Sequence, residues 1–336
     1  MRFGIFVLAG RFPGQDDEQA LTRSLDAVVR AEEAGFDDAW IAEHHFMSYG
    51  VCPSAITFAA HALGRTSRIT LGTAVSVLST VHPVALAEQA ALLDRISGGR
   101  FRLGVGRGGP WVDLEVFGTG LPRYEHGFAE SLDLLLDCLR RDHVSADGEH
   151  FAFREVPMVP RPADGQPPVT VACTSRATVE QAAARGLPML LGMHAGDDEK
   201  AGLVEHYARA ATEAGRDPRG VPHVAAVLAQ VGEDRRHAEH QLRAAMPGWL
   251  ADGLRGYVPV DGRPYTPRDP VAYTDLLCSL HPVGSPADCA GRLRESIDRT
   301  GIEHVVMLVE GGGTRERTLA NIDRLGTEVL PLLRDA

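Results

Sequence analysis

Apolar residues along the chain fall into two alternating patterns. Short runs repeat every second position, as in strands, and longer stretches carry one apolar face at the helical period. Phe3 to Leu8 is the first run. Residues 18 to 34 follow, with Leu21, Leu25, Val28 and Val29 on one helical face, and Gly35 is placed to end that helix. Asp38 to Glu43 predicts a second strand and 54 to 64 a second helix. In the third strand, Ile69 to Val77, the bulky Ile69, Leu71, Val75 and Val77 alternate with Thr70, Gly72, Ala74 and Ser76. Such an alternation would turn large side chains to the helices and leave room inside a barrel. A helix starting at Pro83, a favoured first-turn residue, carries Leu86, Ala90, Leu93 and Ile96. Strand four is Phe101 to Val105, and helix four, about 124 to 141, carries Phe128, Leu132, Leu135 and Leu139.

An irregular, Pro-rich insertion near 142–168 interrupts the rhythm, which resumes with strand five (Val169 to Cys173) and a helix at 175–185. Strand six (Pro188 to Gly192), a helix at 199–214, strand seven (His223 to Val231) and a helix at 233–246 follow. A second irregular segment, 247–282, holds Trp249, Tyr257 and Tyr265 among several Pro and Gly and reads as a mobile cover. Ser285-Pro286-Ala287-Asp288 has the form of an N-cap, a first-turn proline and a capping-box acid. A helix to about 299, strand eight (His304 to Val309) and a last helix from 314 complete the chain. Eight strand–helix alternations predict one (β/α)8 TIM barrel, an α/β fold, spanning residues 1–336 as a single domain. A doubly wound open sheet is the competing arrangement.

Composition narrows the function classes. With 44% hydrophobic and 24% charged residues in 336, the chain has material for one large core. A net charge of -11 and a pI of about 5.7 argue against a nucleic-acid partner, which needs a concentrated basic surface. The five cysteines (Cys52, Cys138, Cys173, Cys278, Cys289) are scattered and contain no C-x-x-C, so neither a disulfide framework nor a cysteine metal site is indicated. The apolar run at Phe3 to Leu8 is too short for a signal peptide, and no stretch is long enough to span a bilayer. The expected location is the cytoplasm, without membrane contact.

In a barrel of this kind, chemistry belongs where strands end and the following loops begin. Unusual residues gather there: Glu43-His44-His45 after strand two, His82-Pro83 after strand three, and Gly104-Val105-Gly106-Arg107-Gly108-Gly109 after strand four. Cys173-Thr174-Ser175 follows strand five and Glu310-Gly311-Gly312-Gly313-Thr314 follows strand eight. Adjacent histidines point to opposite faces of a strand, so no metal is expected; a histidine here is either a proton donor and acceptor or surface decoration. Gly104 and Gly106, with Gly72 and Ala74, would leave space for a flat ligand. Arg107 beside them could hold a phosphate or form a structural ion pair. Thr174-Ser175 reads either as a plain helix cap or as an anion site, and the glycine loop after strand eight is a rival phosphate site.

Met1 to Gly4, Glu32 to Phe36, Ala42 to Phe46, Leu71 to Ala74, His82-Pro83-Val84, Leu92 to Phe101, Arg107-Gly108, Val116 to Thr119, Gly186 to Met189 and Pro282-Val283-Gly284 carry a resemblance. In this order and at near-constant spacing they resemble the bacterial luciferase-like, flavin-dependent monooxygenases over essentially the full length, most closely the catalytic α subunit. The resemblance implies a barrel that takes FMN as FMNH2 from a separate flavin reductase and reacts it with O2 to a C4a-(hydro)peroxyflavin. It implies His44 as catalytic acid/base with Glu43 alongside, and a non-prolyl cis peptide at Ala74-Val75 beneath the flavin ring. Gly106 and Arg107, with Thr174, Ser175 and Thr178, are implied to bind the cofactor, the last four at its phosphate. Met193 and Trp249 are implied in the substrate pocket.

Three positions depart from luciferase α subunits: Gly106 replaces a reactive thiol, Thr174 a carboxylate and Met193 a tryptophan. Flavin chemistry is therefore expected with a different pocket, and light emission from a long-chain aldehyde is not. The expected activity is hydroxylation, epoxidation or Baeyer–Villiger insertion on a small organic substrate, as in secondary metabolism, by a homodimer joined through the second and third helices. A deazaflavin-dependent, hydride-transferring oxidoreductase and a non-catalytic flavin-binding subunit are the alternatives.

Overall fold

A computed structural model describes residues 1–163 and 167–334. Eight parallel strands close into the predicted barrel: Arg2–Val7, Asp38–Ile41, Thr70–Thr73, Phe101–Gly106, Val169–Cys173, Met189–Leu191, Val224–Leu228 and His304–Leu308. The ring closes because strand one pairs with strand eight (Phe3 opposite Val305) as well as with strand two (Gly4 opposite Asp38). On the other side strand three meets strand four, with Leu71 opposite Phe101.

Alternation along each strand builds two cores. Phe3, Ile5, Leu71, Leu103, Val105, Val171 and Val305 pack outward against the helices. Trp40, Leu190, Val224, Leu228, Val306 and Leu308 fill the interior. The space beside the glycines goes to neighbouring strands rather than to a ligand: a Cβ on Gly104 would come within 1.9 Å of Thr73 O, and one on Gly72 within 2.7 Å of the indole of Trp40. Below it the barrel floor is sealed by Asp38, which accepts from Trp40 Nε1 at 2.9 Å and from Arg2 at 3.0 Å and lies 2.9 Å from His304 Nε2. Burial alone would raise the Asp38 pKa, yet His304 and Arg2 hold it below the ordinary value.

Local signals account for most helix starts. Pro83 opens its helix, Ser175 and Ser285 make capping boxes with Thr178 and Asp288, and Gly35 adopts positive φ after the first helix. Four expectations need correction. The third strand is interrupted after Thr73 and resumes at Ser76–Val77, with the cis peptide at Ala74-Val75, so its alternation does not carry through. Val75 and Val77 consequently face the cavity described below and not the helices. Helices Val112–Val116 and Gly120–His126 precede Phe128–Arg140, where one helix from 124 was expected.

The insertion near 142–168 is in part an antiparallel hairpin, His143–Asp147 with Ala152–Pro157; its residues 164–166 lie outside the described residues. The segment 247–282 is mostly helical. Arg235–Leu254 runs past its expected end because Trp249, Leu250 and Gly253 continue the buried stripe of Leu242 and Met246. Asp269 and Pro270 start a further helix, Pro270–Leu280, which leaves 255–269 and 281–282 irregular. Among the described residues no helix is long and apolar enough to cross a membrane.

Candidate active site

A cavity of about 530 Å³ opens at the C-terminal end of the barrel strands, within the size range of small-molecule sites. It gathers side chains from the loops after strands two, three, four, five and six, and from Tyr257. The strand ends supply them because parallel strands deliver all their following loops to one face.

His44, Glu43, Ala74, Val75, Arg107, Thr174 and Met193 all line it. The His44 main-chain N–H donates to Cys52 O at 2.9 Å, and its ring stands edge-on to Tyr49 with centroids 5.0 Å apart. Its Nδ1 is buried without a partner. Burial, reinforced by the nearby His45, pushes its pKa down to about 4, so the imidazole is neutral near pH 7. Gly50 is what lets the ring sit there, since a Cβ at this position would come within 2.6 Å of Nδ1 and 2.5 Å of Leu8 O.

Glu43 is differently placed from the expected catalytic partner. Its carboxylate accepts from Val77 N at 3.1 Å and Ala55 N at 3.0 Å, and it lies 3.7 Å from His45 Nε2. It therefore ties the resumed third strand to the start of helix Ala55–Leu63. The geometry is that of a positioning residue.

Arg107 stacks on Tyr124, its guanidinium carbon 4.4 Å from the ring centroid. Among the described residues no carboxylate pairs with it, which removes the structural ion-pair alternative. The rival glycine loop after strand eight is welded shut. Glu310 accepts from Leu8 N, Ala9 N, Ser24 and Arg23, and Arg23 also reaches Gly313 O at 3.2 Å and Gly10 O.

Ser175 and Thr178 do not line the cavity. Their hydroxyls serve the start of helix Arg176–Ala184, Thr178 N donating to Ser175 Oγ at 3.4 Å and Ser175 N to Thr178 Oγ1 at 3.2 Å. Gly106 also lies behind the wall: a Cβ there would meet Val75 Cγ2 at 2.7 Å, so glycine lets Val75 pack in. Trp249 is corrected outright. Carried on the extended helix, it is 2% exposed and stacks behind Tyr49 at 4.9 Å and 7°, donating from Nε1 to Tyr49 O at 3.0 Å. Tyr49 takes its place on the wall. Trp111, Asp113, Tyr124 and Tyr257 line the cavity too, and sequence reading missed them because 109–126 and 255–269 carry no clear hydrophobic period.

These residues fit FMN. An unpaired arginine, Thr174 and the positive end of helix Arg176–Ala184 suit a phosphate, and the apolar surface of Ala74, Val75 and Met193 suits a flat ring. Among the described residues no group of His, Cys, Asp and Glu could hold a metal ion.

The chain is similar to known proteins along its length. The family model of luciferase-like monooxygenases matches residues 1–304. The alkanal monooxygenase alpha chain of Photorhabdus luminescens is 32% identical over 354 aligned residues, covering 100% of this chain and 98% of that one. Among solved structures, the monooxygenase RslO1 from Streptomyces bottropensis superposes with a TM-score of 0.84 at 24% identity, covering 98% and 99% of the two chains. The oxygenating constituent of 3,6-diketocamphane monooxygenase from Pseudomonas putida, a type II Baeyer–Villiger enzyme in complex with FMN, gives 0.79 at 19% identity and 98% coverage of each.

Proposed function

We propose, for a chain that belongs to the luciferase-like monooxygenase family, that it is the oxygenating component of a two-component system and inserts one oxygen atom of O2 into a small organic substrate. The observation that carries this reading is a neutral, half-buried His44 sharing one cavity with an unpaired Arg107. Bound FMNH2, supplied by a separate flavin reductase, brings the two electrons with which O2 is activated. Arg107 and Thr174, with the start of helix Arg176–Ala184, hold the phosphate. Val75 and Met193 bound the ring site, and the apolar wall limits the water that would compete with substrate.

His44 supplies or withdraws a proton at Nε2, the ring nitrogen turned away from Gly50. A side chain that is neutral near pH 7 can do either without first losing a charge. Each turnover then places one oxygen atom in the product and releases the other as water. As the family resemblance implies, the assembly is a homodimer through helices Ala55–Leu63 and Pro83–Ser97, supported by the exposed Leu92 and Ile96 four residues apart on the latter.

Anaerobic titration with FMNH2, followed by turnover under isotopically labelled O2, tests the reading. Binding of FMNH2 and one labelled oxygen in the product are expected. Failure to bind reduced FMN, or tighter binding of a deazaflavin, refutes it. A monomer by light scattering removes the dimer alone.

A further inference from the structure

One stretch of the cavity wall is aromatic. Tyr49, Tyr257 and Trp111 line it in succession, with ring centroids 6.0 Å apart between the first two and 4.7 Å between the last two. Trp249 backs Tyr49 in its near-parallel stack. The main chain fixes the far end: Trp111 bridges Pro259, and Val260 N donates to Pro110 O at 2.6 Å. Rings held by other rings and by backbone present a rigid surface to a planar ligand.

Asp113 lines the same cavity and is 8% exposed. Its carboxylate accepts main-chain hydrogen bonds from its own turn, including Leu114 N at 3.1 Å. Among the described residues no side chain donates to it or pairs with it. Burial pushes its pKa up, countered by His45 and its local main-chain hydrogen bonds and reinforced by Glu43. Glu43, the other carboxylate on the cavity, is already committed to two backbone N–H groups. Asp113 thus keeps acceptor capacity toward the cavity beyond the hydrogen bonds of its own turn, since each carboxylate oxygen can accept more than one donor.

We infer that the substrate is a planar aromatic molecule bearing a hydroxyl group, its rings lying along Tyr49, Tyr257 and Trp111 and its O–H donating to Asp113. The inference rests on the monooxygenase reading but reaches further, since it makes Asp113 the residue that sets substrate specificity. A long-chain alkanal has neither a ring for the wall nor a donor for the carboxylate. An aryl ammonium would have to shed its hydration in a cavity that already holds the cation of Arg107, so the neutral hydroxyl is favoured.

Isothermal titration of FMN-loaded protein with 2-naphthol, 2-methoxynaphthalene, 2-(aminomethyl)naphthalene and decanal tests this. 2-Naphthol is expected to bind roughly 10-fold or more tightly than its methyl ether, the worth of a hydrogen bond to a charged group. It should also bind more tightly than the amine and decanal. Asp113→Ala should remove the preference for naphthol over its ether while leaving ether and decanal binding in place. Trp111→Ala should weaken both neutral aromatics together. Equal binding of naphthol and ether by the unaltered protein, no binding of either, or tighter binding of decanal or the amine overturns the inference, even if the variants do not fold. Retention of the preference by a folded Asp113→Ala variant does so as well. Failure to bind FMNH2 appears in the anaerobic titration and strikes the proposed function instead.

Discussion

Glu43→Gln separates a carboxylate that holds structure from one that takes part in chemistry. The side chain is 5% exposed, and its two oxygens accept from different segments, Oε1 from Val77 N at 3.1 Å and Oε2 from Ala55 N at 3.0 Å. Glutamine keeps the shape but turns one acceptor into an amide donor, so one of the two backbone N–H groups faces another N–H. Losing a charge-assisted bond costs about 1.5–3 kcal/mol, and the stranded buried donor adds to that, giving about 2–4 kcal/mol in total. The loss should appear as a lower urea midpoint at unchanged slope, followed by the fluorescence of Trp40, Trp111 and Trp249. FMN affinity should fall with it, because Val77 lines the cavity two residues beyond Val75. A variant with the normal urea midpoint and FMN affinity but no turnover would refute the reasoning and return Glu43 to the catalytic machinery.

Two further outcomes follow from the same geometry. Gly106→Ala places a methyl 2.7 Å from Val75 Cγ2 and should cost about 1–3 kcal/mol with weaker FMN binding. Adding Val75→Ala should restore part of both, and strictly additive losses in the double-mutant cycle would show that the two positions do not meet. Acid should destabilise the fold well above the carboxylate range. Burial lowers the pKa of His44 and His223 to about 4 from the unperturbed 6.5, so the unfolded state binds more protons between those values. Their contribution, about 3 kcal/mol each, is fully present above pH 6.5 and lost as pH falls through 4. Urea midpoints that stay flat from pH 7.5 to 4.5 would contradict it.

The barrel was legible because its signals repeat: each strand buries alternate residues, each helix one stripe, and caps such as Ser175 and Ser285 are local. His44, Arg107 and Met193 were legible as cavity residues only through resemblance combined with position after a strand. What failed depends on partners distant in sequence. Small residues at 72 and 104 look like room for a ligand until Trp40 and the Thr73 main chain, each from the adjoining strand, are seen to fill it. Trp249 looks like a loop residue until its helix is found to extend to Leu254. The role of Glu43 is decided by Val77, 34 residues away. Periodicity reports which face a residue occupies and says nothing about which donor its side chain meets there.

Hydrogen-bond partners sort the buried carboxylates by role more cleanly than position does. Asp38 at the closed end has Arg2, Trp40 and His304 around it. Glu310 and Glu43 stand at the open end, yet both are taken up by main-chain N–H groups and, for Glu310, by Arg23 and Ser24. Each of these three is satisfied before any ligand arrives, so each contributes to holding the barrel and its mouth in shape. Asp113 stands apart, with main-chain contacts in its own turn and a cavity in front of it. An acid of this kind keeps acceptor capacity that a bound molecule can use. Cofactor chemistry can therefore stay common to relatives with different pockets, while the choice of substrate follows from which donor the Asp113 wall receives.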